Sequence, residues 1–177
     1  MVEANLDVPS VVPLNDPEAA EKCHAAGVGA VIEIELGHKL DPRWGQPRTF
    51  TGEVLRLSDG KFVYTGGQWD GFEADMGPSA LFRIGSVLVV IMSKATYDFA
   101  DEQIRALGLD PIQAKFIVAK NPMNYRHAYG AIAKGIFILD TYGPTPGTLR
   151  HVKFEKLQPP YFPVVDDIPG FEPTLLK

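Results

Sequence analysis

The chain has 177 residues, 45% of them hydrophobic, which is enough for one domain with a proper core. A net charge of −5 without any Lys/Arg cluster argues against nucleic-acid binding as the main task. One cysteine, Cys23, excludes an intramolecular disulfide, the longest apolar run (Val87 to Met92) is too short to span a bilayer, and no signal peptide opens the chain. A cytoplasmic protein with no membrane or nucleic-acid partner is the expectation.

Met1 to Leu14 carries Pro9 and Pro13 and no periodic face, so residues 1–14 read as an extended lead-in. Asp16 is placed to cap a helix that has Pro17 at its first position and Glu18 near the favourable dipole end. Ala19, Ala20, Cys23 and Ala26 give this helix a small apolar face suited to close packing, and Gly27 stops it. Cys23 there reads as a buried small hydrophobe rather than a reactive thiol.

Ala30, Ile32, Ile34 and Leu36 alternate with Val31, Glu33 and Glu35, the pattern of a strand with one wet face. Carboxylate and imidazole both bind Zn²⁺, so Glu33, Glu35 and His38 are conceivable ligands. Their spacing matches no known metal mechanism, and alternate glutamates on a strand are usually a solvated face.

Asp41 to Pro47 reads as a loop. Thr49 to Leu57 is a predicted strand, Ser58-Asp59-Gly60 a tight turn, and Lys61 to Thr65 its hairpin partner. Gly66 to Gly71 is a polar-aromatic loop, either a lid or a plain connection; no phosphate-binding fingerprint follows its paired glycines. Ser79 to Ile84 and Val87 to Met92 bracket Gly85-Ser86 as a second hairpin. Asp98 is the expected cap of a helix over Phe99 to Leu107, closed by Gly108.

Ala114 to Ala119 is apolar and rich in β-branched and aromatic residues, which predicts a buried strand. Asn121 and Pro122 are placed to open a helix in which Tyr125, Ala128, Tyr129 and Ile132 recur at helical spacing. Ile136 to Asp140 predicts a second strand, so that the three form a βαβ unit. Lys120, Asn121, Asn124 and Arg126 gather at the junction of strand and helix. A helix start suits a carboxylate or phosphate, though by spacing alone Asn121 acting only as a cap beside solvated Lys120 and Arg126 is the commoner arrangement. Val152 to Leu157 is predicted as a last strand. Residues 158–177, with five prolines, read as an irregular C-terminal tail. The fold class expected is α+β, loosely α/β: one domain over residues 15–157 with a mixed sheet, hairpins, about three helices and one βαβ unit.

The run Lys120-Asn121-Pro122-Met123-Asn124-Tyr125-Arg126-His127-Ala128, followed by Asp140-Thr141-Tyr142-Gly143, resembles the C-terminal domain of the microcystinase C (MlrC) metallopeptidases. Asp16-Pro17-Glu18-Ala19, Ala25 to Ala30, Met76-Gly77-Pro78-Ser79-Ala80 and Gly108-Leu109-Asp110-Pro111 agree with it in the family's order, from about Val8 to Leu157. Asn121 stands for the family's usual Ser, Asn124 for its His, Tyr125 for its Phe, and Tyr142 for the Pro before the last Gly.

The resemblance implies the substrate-facing domain of a zinc-type hydrolase acting on linear peptides, of the microcystin-degradation type. The zinc ligands would lie in an N-terminal domain that this chain lacks. The four histidines here, His24, His38, His127 and His151, show no ligand spacing, so the chain alone is expected to hold no metal and to be inactive. The residues expected to contact substrate are Lys120, Asn121, Asn124, Tyr125 and Arg126, with Gln68, Asp70 and Met76 as loop contacts. The expected partners are the metal-binding domain and a peptide, and an oligomer is compatible. The other reading is a non-catalytic binding module or split subunit related to that domain.

Overall fold

The computed structural model describes residues 1–97, 100–121, 124–141, 143–145, 147–158, 160–166, 168 and 170. Two compact units divide the chain, Met1–Ile136 and Phe137–Lys177.

The first unit is built on a six-stranded mixed sheet. In chain order its strands are β1 (Ser10–Asn15), β2 (Val31–Leu36), β3 (Arg48–Ser58), β6 (Ser79–Ile84), β7 (Val87–Met92) and β8 (Phe116–Ile117), arranged β2-β3-β6-β7-β1-β8. The pairs β2–β3, β3–β6 and β6–β7 are antiparallel, while β1 is parallel to both β7 and β8. β4 (Lys61–Val63) and β5 (Glu73–Asp75) make a separate two-stranded arm. The helices are α1 (Pro17–Ala26), α2 (Glu102–Arg105) and α3 (Tyr125–Tyr129). A mixed sheet with three helices is the expected α+β class. No helix among the described residues is long and apolar enough to cross a membrane.

Both faces of the sheet are covered. On one face, Ala19, Ala20 and Cys23 of α1 pack on Ile34, Val54, Phe82, Val89 and Ile91. On the other, Ile104, Leu107 and Tyr129 pack on Val11, Met76, Leu81, Val90 and Met92. β7 sends alternate side chains into both layers, which is why its sequence is an unbroken apolar run instead of an alternating one.

Several expectations hold in detail. Asp16 Oδ1 accepts the Ala19 N–H at 3.1 Å, Pro17 opens α1, and Gly27 closes it with φ 84°. On β2, Ile34 and Leu36 are buried while Glu33 and Glu35 are exposed. The β6–β7 hairpin forms across Gly85-Ser86 in the register Ile84 opposite Val87.

Other expectations are corrected. The segment read as a lead-in contains β1, an interior strand. The residues of β1 alternate in the neighbour they face: the Ser10 N–H bonds Ser86 on the β7 side, while the Pro9 and Val11 carbonyls accept from Lys115 and Val118 on the β8 side. Pro13 follows Val11 in that alternation, so its missing N–H points where β8 has already ended and no ladder bond is lost.

Lys61–Val63 does not fold back on β3. It pairs with Glu73–Asp75, because β3 is already flanked by β2 and β6. The βαβ unit is not completed: β8 is two residues long, and Ile136 to Asp140 is not a strand. Phe137, at 81% exposed, has no sheet to bury its ring. Val152 to Leu157 forms no strand either. α2 begins after Asp101; the expected cap, Asp98, and Phe99 lie outside the described residues.

The second unit holds a 3-10 turn at Leu149–His151. Asp140 Oδ1 accepts the Gly147 N–H at 2.7 Å, the Phe154 and Tyr161 rings meet edge to face at 5.2 Å, and Arg150 pairs with Asp166.

Candidate functional site

The β4–β5 arm ends in the loop that the sequence marked as polar and aromatic. Tyr64 leads into it with a buried ring, and its hydroxyl donates to the Tyr97 carbonyl at 2.7 Å. The backbone then closes on itself: Tyr64 N–H to Phe72 O and Gly71 N–H to Tyr64 O, both at 2.9 Å. Asp70 Oδ1 accepts the Gly66 N–H at 2.6 Å, which fixes the inner turn. Gly66 has φ 75°, a conformation that a residue with a Cβ adopts at a cost.

α2 ties this loop down from beneath. Glu102 is buried, and its Oε1 accepts both the Thr65 N–H, at 2.9 Å, and the Thr65 hydroxyl. Oε2 of the same carboxylate is buried without a hydrogen-bond partner. Gln103, 2% exposed, donates through Nε2 to the Tyr97 carbonyl at 3.1 Å and to Thr96 Oγ1. The loop and Tyr97 are thus held by buried polar side chains, which cost most when they lose a partner.

Among the described residues, three rings surround Trp69. Trp69 lies nearly parallel to Tyr97, with centroids 6.2 Å apart and planes at 22°. Phe72 meets Trp69 edge-on at 5.4 Å, and Tyr64 meets it tilted at 6.3 Å. α3 packs against the same cluster through Ala128. A Cβ on Gly66 would stand 3.5 Å from His127 Nε2, so the exposed His127 lies against the loop.

The residues expected to bind substrate lie on the approach to α3 and on its first turn. Lys120 and Arg126 are exposed, Asn124 and Tyr125 are half-buried, and Asn121 is buried. Asn121 is not the helix cap: the cap position is Asn124, whose N–H donates to Asn121 Oδ1 at 3.3 Å. Asn124 makes no capping bond of its own, and Pro122 lies outside the described residues. With five residues, α3 has too short a dipole to make its N-terminus an anion site by itself. Any anion held here is held by side chains. The Arg126 guanidinium stacks over the Tyr125 ring at 5.3 Å, which aligns a planar cation on an aromatic face.

Gln68 and Asp70 are both exposed in the aromatic loop. Met76 is not available as one. Its side chain is 0% exposed in the core, and its backbone is bonded to Gly60 O and Lys94 N, both at 2.8 Å. The sequence pointed to Trp69 and the loop but not to Tyr97, Glu102 or His127. Only the packing of α2 and α3 on the arm brings these to the same place.

The donor set does not fit zinc. Among the described residues no three His, Cys, Asp or Glu side chains converge. Glu33 and Glu35 are exposed on β2, and the His38 ring lies where a Cβ on Gly45 would sit, 2.7 Å from its Nδ1. Cys23 is fully buried, and burial pushes its thiol up to about 11.

The fold is therefore a mixed-sheet α+β domain that sets a short helix bearing Arg126 beside a tethered aromatic loop. The MlrC C-terminus family matches residues 1–156, and the chain belongs to it. Microcystinase C from Sphingomonas sp. is 20% identical over 157 residues, which is 88% of this chain and 29% of that protein. The crystal structure of a candidate metallopeptidase from Mesorhizobium sp. BNC1 has the same fold, with a TM-score of 0.76 at 24% identity, covering 94% of this chain and 33% of that one. The chain thus spans about a third of the length of these relatives.

Proposed function

We propose that this chain is the substrate-facing C-terminal domain of an MlrC-like metal-dependent hydrolase that cleaves linear peptides. The metal ligands are supplied by another domain of the assembled enzyme. The observation that carries the reading is the placement of Lys120 and Arg126, exposed on the approach to α3 and on its first turn, within the stretch that the MlrC C-terminus family matches. Two cations beside half-buried Asn124 and Tyr125 suit a carboxylate or a polarised carbonyl, the groups a peptide offers. Among the described residues no metal site fits, so no hydrolytic step is assigned to them; their role is to bind and orient.

A second reading, a binding module without catalysis, draws on one observation. Where the family has Ser and His this chain has Asn121 and Asn124, and the Asn121 Oδ1 accepts the backbone N–H of Asn124.

The test joins this chain to the metal-binding part of an MlrC-type enzyme and follows linear-peptide hydrolysis with zinc present. Arg126→Ala and Lys120→Ala are each expected to lower kcat/KM by about tenfold or more, about 1.4 kcal/mol, with little change in Tm. Peptide binding without any turnover selects the second reading. Turnover that these substitutions leave unchanged puts the binding site elsewhere.

A further inference from the structure

We propose that Trp69, Phe72 and Tyr97 form a platform that receives a large apolar or aromatic side chain of a linear peptide, beside Arg126 of α3. The proposal rests on the peptide-hydrolase reading and deepens it by naming the substrate class.

Phe72 is 57% exposed and Tyr97 67%, both against the same Trp69. Rings left this far in water forgo burial that each could gain by folding inward. They are not loose, however. The Tyr97 carbonyl is gripped by the Tyr64 hydroxyl and Gln103 Nε2, and Phe72 is bonded through its N–H to Trp69 O and through its carbonyl to the Tyr64 N–H. The rings are held outward by a backbone that cannot relax without breaking bonds beneath it. That is the pre-organisation a recognition surface needs, because little ordering entropy remains to be lost on binding.

The chemistry around the rings selects the occupant. The Trp69 and Tyr97 planes are close to parallel and Phe72 closes one side edge-on, so the patch offers flat apolar area with one wall. Ring stacking and apolar contact are what such a patch rewards. Asp70, the carboxylate in the loop, accepts the Gly66 N–H, whereas the α3 side brings His127 against Gly66, with Arg126 the preceding residue. An apolar side chain on the rings and a carboxylate towards Arg126 are two parts of one short peptide.

The chain has two tryptophans, so Trp44→Phe leaves Trp69 as its only indole reporter. Its fluorescence would be titrated with N-acetylated Gly-Phe-Gly, Gly-Ala-Gly and Gly-Glu-Gly, each with a free carboxyl end. The Phe peptide is expected to bind at least about tenfold more tightly than the Ala and Glu peptides. Tyr97→Ala and Phe72→Ala should abolish most of that preference at unchanged Tm, while Tyr97→Phe, which keeps the ring, should retain it. Equal affinity for the three peptides, or a preference that survives Tyr97→Ala, overturns the platform. So does self-association that Tyr97→Ala abolishes without any peptide binding, which would make the rings a protein contact. The titration needs no metal and no turnover, so a failure of the hydrolase reading shows only in the reconstituted assay and leaves this result standing.

Discussion

Lys39 Nζ lies 3.0 Å from Asp16 Oδ1, in a position where Asp16 is only 3% exposed. The same carboxylate accepts the Ala19 N–H of α1 and, at 3.2 Å, the Gly37 N–H just beyond β2. One side chain therefore joins the end of β1, the start of α1 and the end of β2. As a cap alone it would be worth about 0.5–2 kcal/mol.

Because Asp16 also partners a largely buried ammonium, Asp16→Ala is expected to cost more, about 2–4 kcal/mol, as it strips the cap and leaves Lys39 without its nearest charge. Asp16→Asn, which can still accept from Ala19, should cost less than Asp16→Ala. Urea denaturation midpoints at constant slope measure both. A loss below about 0.5 kcal/mol for Asp16→Ala would show that the junction is held by other contacts.

Gly60 sits where the arm leaves β3, with φ 77°, and a Cβ there would stand 2.0 Å from the Gly77 carbonyl oxygen. That obstacle is backbone and cannot swing aside. Gly60→Ala is expected to destabilise the protein by about 2–4 kcal/mol, from backbone strain and overpacking together. Gly71 also has a positive φ, 79°, but open space around it, so Gly71→Ala should cost only about 1 kcal/mol. Thermal melts of the two variants compare them directly.

Glu102→Ala removes the acceptor of the Thr65 N–H and hydroxyl. The expected cost is about 1–3 kcal/mol, and the loop of residues 64–72 should lose its hydrogen-exchange protection before the main sheet does. Glu102→Gln keeps an acceptor and should hold the loop better than Ala. Uniform loss of protection across the sheet would mean that Glu102 supports the whole domain, not the loop.

Cys23 supplies a pH test. Its thiol, pushed up to about 11 by burial, compares with 9.0 for a free one. Folding therefore favours the protonated form. Stability from this group is fully present below pH 9 and is lost as pH rises towards 11, by up to about 2–3 kcal/mol. Cys23→Ala should flatten that part of the stability–pH curve. In the native protein at pH 8, alkylation of Cys23 should be far slower than of an unfolded control.

Some of this architecture was legible because its cause is local. The Asp16-Pro17-Glu18 start of α1 and its Gly27 stop depend on residues within one turn of one another. The β6–β7 hairpin needs only two apolar runs and a Gly85-Ser86 turn. The segment from Lys120 to Arg126 stood out in the sequence, through polar residues at a strand–helix junction and a family pattern. Its internal wiring did not. That Asn121 serves the Asn124 N–H rather than capping is settled by where the short α3 begins, which the packing of Tyr129 in the core decides.

By itself, the sequence determined the α+β class, the capped α1, the one wet face of β2 and membership of the MlrC C-terminus family. Each of these follows from residue type, short-range spacing or a pattern spread along the chain. The tertiary structure alone decided that the proline-bearing segment from Ser10 is an interior strand, since that depends on which neighbour stops short of Pro13. It alone paired β4 with β5, because β3 had no free edge to offer. It alone set Glu102 beneath Thr65 and Tyr97 beside Trp69, bringing together residues some 30 to 40 positions apart whose bonds depend on shared burial and leave no local trace.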